Sequence, residues 1–335
     1  MSFVRSVLYK AQTPSLQLAV VAFLTGITFG SVETVWGPFF RTLLQSDVYV
    51  GLLGAFRSLF LLAGFLLSGT FFGWWGERKL WLIASLVTLV AFLTFGFSTS
   101  VAVLIITALI EPVAGALRLA SNGILYRSES PEEKLDENEG LLFMATNAGW
   151  MAGPLLGGVV LSAFSQRAVF FLGAGIFCLA IGMFSNVKTA KRHAKKEAPL
   201  WSRMRSFAAD VQRRRVYLTA GLSQAAYNVV YLYGPLFLLR NGQPEQLIGL
   251  LLFFFGFAAF SVSYLAGWLS HVLSHRVVVG LGFLVISITG ITALTVDMSF
   301  VPWVFVAASL GAALVQPVSE SLFFELVGDR DEEWY

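Results

Sequence analysis

Long apolar runs recur along this 335-residue sequence, and they restrict its fold more than any other feature. Each run approaches the ~20 residues that a helix needs to cross hydrocarbon. Charged residues make up 13% of the chain, about half their share in a soluble domain, so a soluble fold has too few charges to cover these runs. We predict an all-α polytopic membrane protein with ten transmembrane helices, at 16–40, 48–72, 80–98, 102–126, 140–163, 168–187, 216–239, 246–270, 277–296 and 300–325.

Lysine and arginine are distributed unevenly between the predicted loops. If the N-terminus is cytoplasmic, the cytoplasmic segments hold 18 of these residues and the outer loops hold three, Arg41, Arg167 and Arg240. Positive residues are enriched on the cytoplasmic side of membrane proteins. We therefore expect a multi-pass protein of the cell membrane with both termini in the cytoplasm.

The two halves of the sequence repeat each other. Residues 36–40 (WGPFF) match 233–237 (YGPLF), and acidic residues at 131–133 match those at 331–333. Further matches at offsets of 196 to 198 pair Ser68, Gly69, Arg78 and Gly115 with Ala266, Gly267, Arg276 and Gly311. One order at a nearly constant offset indicates a duplicated unit. We predict an N-terminal six-helix bundle at 1–187, a linker at 188–215, and a C-terminal bundle of four helices at 216–335 that is truncated relative to the first.

The predicted linker carries ten lysines and arginines. Beside apolar spans, such a segment favours contact with anionic lipid headgroups over nucleic-acid binding. Apolar residues at helical spacing, Trp201, Met204, Ala208 and Val211, predict an amphipathic helix on the inner leaflet.

The fifth predicted span contains the most specific pattern of the sequence. Its small residues follow the spacing G-x8-G-x3-GP-x2-GG at every fixed position, with Gly140, Gly149, Gly153, Pro154, Gly157 and Gly158. This pattern resembles the antiporter motif of the major facilitator superfamily, in particular its drug/proton antiporter families. Close helix packing also favours small residues, but packing alone does not explain the whole spacing. The resemblance implies a two-bundle fold with about ten of the usual twelve helices present.

A second motif of the same family is partly present between the second and third spans. Three residues of this predicted gate loop fit the motif, namely Gly69, Gly76 and Lys79. Arg78 adds a basic residue at a position that the motif leaves free. Gly73 replaces the aspartate that the family uses to lock its cytoplasmic gate. The resemblance therefore does not carry over the usual gate lock.

Ionisable residues inside the apolar runs are costly, at about 2.5–3.5 kcal/mol each at the centre of a helix, and they mark functional sites. Glu33, Arg57 and Glu111 each lie eight or nine residues from the outer end of a span. At 1.5 Å per residue, all three fall ~12–14 Å below the outer boundary, so they can meet. We predict a proton-coupling network of Glu33, Arg57, Glu111 and Arg118. A salt bridge between Arg57 and Glu33 without any transport role is the alternative.

Polar residues of three spans form the predicted substrate cavity. Arg118 and Asn122 share a helix face with Glu111. The resemblance places the first, fourth, seventh and tenth spans around a central cavity, whose candidate residues are Asn122, Gln224, Tyr227, Asn228, Tyr231, Gln316 and Glu320. Packing of the two tyrosines against neighbouring helices is an equally good explanation of those positions.

These features favour a proton-coupled transporter that exports a small amphipathic or cationic molecule by alternating access. Its expected partners are that substrate, protons and the lipid bilayer, with no nucleic acid, metal or cofactor. The alternatives are a sugar or metabolite facilitator and a truncated, transport-incompetent membrane protein. An enzyme is not indicated. His271 and His275 are four residues apart, but no HExxH motif or nearby acid completes a metal site, and the sequence has no phosphate-binding GxxxxGK[ST].

Overall fold

The computed structural model describes residues 14–129, 135–187, 201, 205 and 208–327, which form ten long helices and include no strand. In chain order these are α1 (Pro14–Leu44), α2 (Asp47–Trp75), α3 (Glu77–Phe97), α4 (Val101–Glu129), α5 (Leu135–Ala163), α6 (Gln166–Asn186), α7 (Val211–Arg240), α8 (Gln246–Leu273), α9 (His275–Ala293) and α10 (Val301–Val327). Each predicted span coincides with one helix, and the ends differ by five residues or fewer.

Seven of these helices, namely α1, α2, α3, α4, α6, α9 and α10, are long and apolar enough to cross a membrane over their described residues. The multi-pass membrane protein is thereby supported, while ten membrane spans stay a prediction. In α5, the motif glycines, Pro154 and Asn147 lower the mean hydropathy. In α7, the mean hydropathy is lowered by the basic residues at the start of the helix and by the amides of Gln224 and Asn228.

The chain divides into two compact units, Met1–Lys196 and Glu197–Tyr335. The division falls inside the predicted linker at 188–215. Most of this linker lies outside the described residues, including Met204 of the predicted amphipathic helix, and so do the acidic stretches at 131–133 and 331–333. Trp201, at the start of the predicted amphipathic helix, is largely exposed.

The closest helix contact of the first unit lies between α1 and α5, and glycines of both helices form it. A Cβ added at Gly149 would lie 2.3 Å from the carbonyl oxygen of Phe23, and one at Gly153 would lie 2.5 Å from that of Ile27. In the opposite direction, a Cβ at Gly26 would lie 2.6 Å from the carbonyl oxygen of Thr146. Backbones this close leave no room for a side chain, so the motif spacing reflects helix packing.

A side-chain hydrogen bond strengthens the same contact. The Ser31 hydroxyl lies 2.9 Å from the Gly153 carbonyl oxygen and 2.8 Å from that of Ile27, so it can donate to either helix. Gly157 faces α1 one turn further along, where its Cβ would lie 2.6 Å from the Ser31 carbonyl oxygen. Together these contacts fix the rotation of α1 about its own axis.

Around this pair, α1 also packs against α6, and α4 packs against α2 and α3. Where α3 begins, Trp81 stacks on Phe184 of α6 with ring centroids 3.7 Å apart. Near the opposite end of these helices, aromatic rings of α1, α3 and α6 meet, with Phe39 5.0 Å from Phe170 and Phe40 5.9 Å from Phe95. Large aromatic side chains therefore fill both ends of the first unit.

In the second unit, α10 packs against α7, α8 and α9. Its contact with α9 again occurs at glycines, because a Cβ at Gly311 would lie 2.5 Å from the Gly282 carbonyl oxygen. Gly115, the repeat partner of Gly311, has a different surrounding, since its nearest neighbour would be a carboxylate oxygen of Glu111 at 3.7 Å. Equivalent glycines of the two copies therefore have different roles.

The repeat is visible in the turn between the second and third helix of each unit. Gly76 separates α2 from α3 with φ 71° and ψ 160°, and Ser274 separates α8 from α9 with φ 79° and ψ 149°. The two positions are 198 residues apart, the offset that relates Arg78 to Arg276. This backbone region suits glycine and strains any residue with a Cβ, so the second copy retains the turn with a less suitable residue.

We expect Gly149→Ala and Gly153→Ala to destabilise the protein by about 1–3 kcal/mol, because each added methyl group overlaps the α1 backbone. Gly175→Ala and Gly182→Ala are the controls, since a Cβ at either position meets no atom of the described part of the chain within 4 Å. Thermal unfolding of the purified protein in detergent measures the difference. Equal unfolding temperatures for the two pairs would contradict the close packing of α1 and α5.

We expect Ser274→Gly to stabilise the protein by about 1 kcal/mol through relief of backbone strain, and Gly76→Ala to destabilise it by a similar amount. No atom of the described residues lies within 4 Å of a Cβ at Gly76, so that loss reports backbone conformation. Ser261→Gly within α8 makes the same chemical change as Ser274→Gly in a helix, where glycine is unfavourable. Equal unfolding temperatures for the two serine variants would refute this explanation of the turn.

Candidate functional site

Three of the predicted network residues meet in the first unit. The Arg57 guanidinium on α2 donates a hydrogen bond from Nη1 to Oε1 of Glu33 on α1, at 3.2 Å. Its Nη2 lies 3.6 Å from Oε2 of Glu111 on α4. At 3.6 Å the second contact is an ion pair rather than a hydrogen bond. One arginine is therefore shared by two carboxylates from two other helices.

Local sequence explains how each side chain reaches this point. The glycine contact with α5 fixes the rotation of α1 and so directs Glu33 towards α2. Glu111 precedes Pro112 within α4, and Gly115, four residues later, leaves room beside its carboxylate. A larger residue at 115 would occupy the space next to Oε1 of Glu111.

The three side chains differ in their access to the surroundings. A quarter of the Arg57 side chain is exposed, against 16% of Glu33 and 6% of Glu111. The guanidinium also lies 4.9 Å from the ring centroid of Trp36, which is buried. A cation over an aromatic face is stabilised. The buried ring of Trp36 therefore stabilises the charged guanidinium of Arg57, while the exposed quarter of the Arg57 side chain stays accessible.

Arg118, the fourth residue of the predicted network, lies apart from this cluster. Its guanidinium carbon lies 4.6 Å from the ring centroid of Phe29 and 5.5 Å from that of Phe177. The residue is 5% exposed. Within the described part of the chain, no carboxylate lies within 4 Å of it, so it is a buried cation held by aromatic faces on the Glu111 side of α4.

The polar residues predicted to line a substrate cavity are only partly brought together. On α7, the Gln224 amide donates to Oδ1 of Asn228 at 3.5 Å, and both residues are exposed. Tyr227 and Tyr231 pack edge-on against Phe255 of α8, with centroid distances of 5.1 and 5.5 Å. Both tyrosines therefore pack against a neighbouring helix, and their place in a substrate cavity stays a prediction.

The remaining cavity residues lie on α4 and α10. Asn122 is partly exposed, although its Oδ1 is buried without a hydrogen-bond partner in the described structure. Gln316 is partly buried in α10. Glu320 lies in the same helix, and its side chain falls outside the described residues.

The repeat gives the α7 stripe a second meaning. At the offset of 197, Gly30, Ser31 and Thr34 of α1 correspond to three members of the stripe, Tyr227, Asn228 and Tyr231. In the first unit those α1 positions contact α5. The α7 stripe is thus equivalent to a helix-packing face, and its assignment to a substrate cavity stays a prediction.

The motif residues of α5 whose burial is described all lie at buried positions. Gly149, Gly153 and Gly157 contact α1, Pro154 contacts Gly30, and Gly158 is buried. Gly140 lies in α5, where nothing is described of its surroundings.

In the gate loop, Gly76 forms the turn and the Arg78 guanidinium donates to the Ser185 carbonyl oxygen at 2.9 Å, near the end of α6. Gly69 is partly buried and Lys79 is exposed. The gate role of this loop stays a prediction.

Sequence reasoning missed the aromatic partners of both arginines, Trp36, Phe29 and Phe177. It also missed Gly26 and Gly30, which contact the motif on α5. Their spacing, G-x3-G inside an apolar span, was a usable signal for close helix packing. No comparable signal indicated the aromatic residues, since phenylalanine is frequent throughout the chain.

Two apolar helical units, with a buried cluster of charges in the first, define the class of polytopic membrane transporters. The sequence matches the Major Facilitator Superfamily over residues 18–331. The chain belongs to this family.

Similar proteins agree with this assignment. The "MFS-type transporter ppzB" of Metarhizium majus (strain ARSEF 297) is 27% identical over 135 residues, which are 40% of this chain and 30% of that protein. The same transporter of Metarhizium rileyi (strain RCEF 4871) is 27% identical over 37% of this chain and 26% of its own length. The matched stretches thus span about a third or less of these relatives.

Solved structures share the fold. A bacterial homologue of the human lysosomal transporter Spinster, in an inward-facing and unoccupied conformation, matches with a TM-score of 0.78 at 17% identity, over 95% of this chain and 76% of its own. The nucleoside transporter NupG matches with a TM-score of 0.74 at 13% identity, over 92% and 80% of the two chains. At these identities the likeness concerns the fold alone.

We expect Arg57→Met to destabilise the protein by about 3 kcal/mol, because it leaves two carboxylates without their shared cation. Adding Glu33→Gln and Glu111→Gln to this variant removes those charges and is expected to restore most of the loss. Unfolding by SDS in mixed micelles measures both effects. The control is Arg41→Met, which breaks the exposed pair with Asp47 and is expected to cost less than about 1 kcal/mol. A triple variant no more stable than Arg57→Met would contradict the shared ion pair.

Proposed function

We propose that this chain is a secondary active transporter that exports a small cationic or amphipathic molecule in exchange for protons, by alternating access. The observation that carries the proposal is the sharing of Arg57 between Glu33 and Glu111. A single salt bridge needs one acid. A second acid at the same arginine provides a place where a proton can bind while the arginine keeps a partner.

Glu111 is the acid we assign to proton binding. Arg57 donates its hydrogen bond to Glu33, whereas its contact with Glu111 is longer and lacks that bond. When Glu111 takes up a proton, the pair of Arg57 and Glu33 remains intact and no carboxylate is left unpaired. Protonation of Glu33 would instead break the shorter of the two contacts.

The charge balance of the four network residues explains exchange. With both acids ionised, two carboxylates offset the cations of Arg57 and Arg118. A proton on Glu111 leaves one positive charge in excess. A cationic substrate is then repelled by the protonated network and tolerated by the deprotonated one, so proton and substrate binding oppose each other, as exchange requires.

The distribution of Lys and Arg between the loops supports the membrane orientation that we propose, in which both termini of a cell-membrane transporter lie in the cytoplasm. The antiporter-like spacing in α5 supports exchange rather than simple diffusion. Its close contact with α1 couples any movement of α5 to the helix that carries Glu33.

We expect purified protein in vesicles loaded with ethidium or tetraphenylphosphonium to release the cation when a pH gradient is imposed. Glu111→Gln and Glu33→Gln are each expected to reduce gradient-driven efflux at least tenfold. The first removes the acid that binds the proton, and the second removes the partner that Arg57 keeps when Glu111 is protonated. Glu245→Gln, in the loop between α7 and α8, is the control and should retain full activity. Gradient-driven efflux that survives in both network variants would show that the proposed coupling is wrong.

A sugar or metabolite facilitator is the second candidate. The exposed amides of Gln224 and Asn228 favour it, since they can hydrogen-bond to hydroxyl-rich molecules. The nucleoside transporter NupG, which shares the fold, is named for such a substrate. Equilibrium binding of radiolabelled glucose and uridine, compared with tetraphenylphosphonium, separates the two candidates. Binding of the sugar or nucleoside alone, abolished by Asn228→Leu, would favour the facilitator.

A further inference from the structure

Five buried polar atoms of the first unit have no hydrogen-bond partner among the described residues. They are Trp81 Nε1, Ser85 Oγ and Thr88 Oγ1 on α3, and Arg118 Nε and Asn122 Oδ1 on α4. Buried polar groups without a partner are rare in folded proteins, and each one calls for an explanation such as bound water. Five such atoms on two neighbouring helices indicate one common cause.

These atoms lie on the faces of α3 and α4 that contact aromatic rings of α1 and α6. They lie beside the direct contact of α3 with α4, which is formed by Leu80, Ala84, Ala114 and Leu117. On α3, Trp81, Ser85 and Thr88 follow helical spacing and form one stripe, which continues to Phe92. On α4, Arg118 and Asn122 are four residues apart, and Tyr126 follows after four more.

Two contacts place the two stripes at matching levels along their helices. At one end, Trp81 and Tyr126 belong to the same apolar cluster. At the other end, Phe29 links the two helices, because its ring lies 5.7 Å from Phe92 and 4.6 Å from the Arg118 guanidinium.

The middle of the two stripes therefore contains a small polar region in an apolar surrounding. Ser85 and Thr88 of α3 and Asn122 of α4 lie between the two anchoring contacts. Ser85 and Thr88 are fully buried. The region offers hydroxyl groups, one amide oxygen and the N–H of a guanidinium, which together are both donors and acceptors.

The charge of Arg118 explains why polar groups are needed in this region. A buried guanidinium needs hydrogen bonds as well as charge compensation. The rings of Phe29 and Phe177 contact its face, but they leave the Nε–H without an acceptor. A water molecule between Arg118 Nε and Asn122 Oδ1 would accept from the first and donate to the second. The hydroxyls of Ser85 and Thr88 would complete the three or so partners that a buried water makes.

We propose an internal water-binding site where α3 and α4 face α1 and α6, formed by Arg118, Asn122, Ser85 and Thr88, which solvates the Arg118 guanidinium inside the first unit. Trp81 closes the site at the end where α3 begins. The site concerns how the permanent charge of Arg118 is solvated and not which partner Arg57 keeps, so it can be tested separately from the proposed proton exchange.

Hydroxyl-radical footprinting by X-ray pulses tests the site, because radicals formed from trapped water oxidise the side chains around it. The full-length protein in lipid nanodiscs is equilibrated with ¹⁸O-labelled water before exposure. Phe177 and Phe170 are a matched pair, since both lie on α6 and both are fully buried. Phe177 contacts Arg118, whereas Phe170 packs among other rings. We expect oxidation of Phe177 to be at least fivefold faster than that of Phe170.

Two substitutions link the labelling to the proposed residues. Thr88→Val and Asn122→Leu each remove a partner of the water and are expected to reduce Phe177 oxidation severalfold. Thr25→Val is the control, because the buried Thr25 hydroxyl already donates to the Ala22 carbonyl oxygen at 2.8 Å. If Thr88→Val fails to fold, Ser85→Ala takes its place. Equal oxidation of Phe177 and Phe170 would overturn the proposal, and so would unchanged Phe177 oxidation in both site variants.

Discussion

A guanidinium inside a bilayer has no water to compensate its charge, so the protein must supply the compensation from its own helices. Arg57 meets this requirement with carboxylates from two other helices and the face of Trp36. The contact therefore joins α1, α2 and α4 at one depth. Other features of the first unit position the residues that form it. The glycine contact with α5 sets the rotation of α1, and Gly115 leaves room for Glu111.

The two arginines of the first unit solve the same problem in different ways. Arg57 is partly exposed and has two acidic partners, so it can lose one and keep the other. Arg118 is almost fully buried against Phe29 and Phe177 and has no carboxylate within 4 Å in the described structure. The first arrangement suits a change of protonation. The second gives a fixed positive charge, which in the proposed exchange adds to the charge of the network when a proton binds.

Much of the fold could be predicted from the sequence, because runs of about 20 apolar residues have one common solution in a bilayer. The meeting of Glu33, Arg57 and Glu111 followed from their equal depth. Depth did not indicate what surrounds Arg118, since that depends on the rotation of α4 and on rings from α1 and α6. Polarity left two explanations of Tyr227 and Tyr231 open, a cavity lining and helix packing, and the structure adds that both rings pack against Phe255. The sequence repeat also did not indicate that two equivalent glycines differ in their surroundings. Gly311 contacts a neighbouring helix, whereas its repeat partner Gly115 leaves space for a carboxylate.

Infrared difference spectroscopy on the purified protein in nanodiscs, between high and low pH, tests the central claim most directly. A protonated carboxyl group absorbs apart from an ionised one, so a proton that binds at the shared arginine has its own band. We predict a protonated-carboxyl band at low pH in the wild-type protein that is lost in Glu111→Gln and kept in Glu245→Gln. An unchanged band in Glu111→Gln would contradict the assignment of Glu111 as the acid that binds the proton beside Arg57.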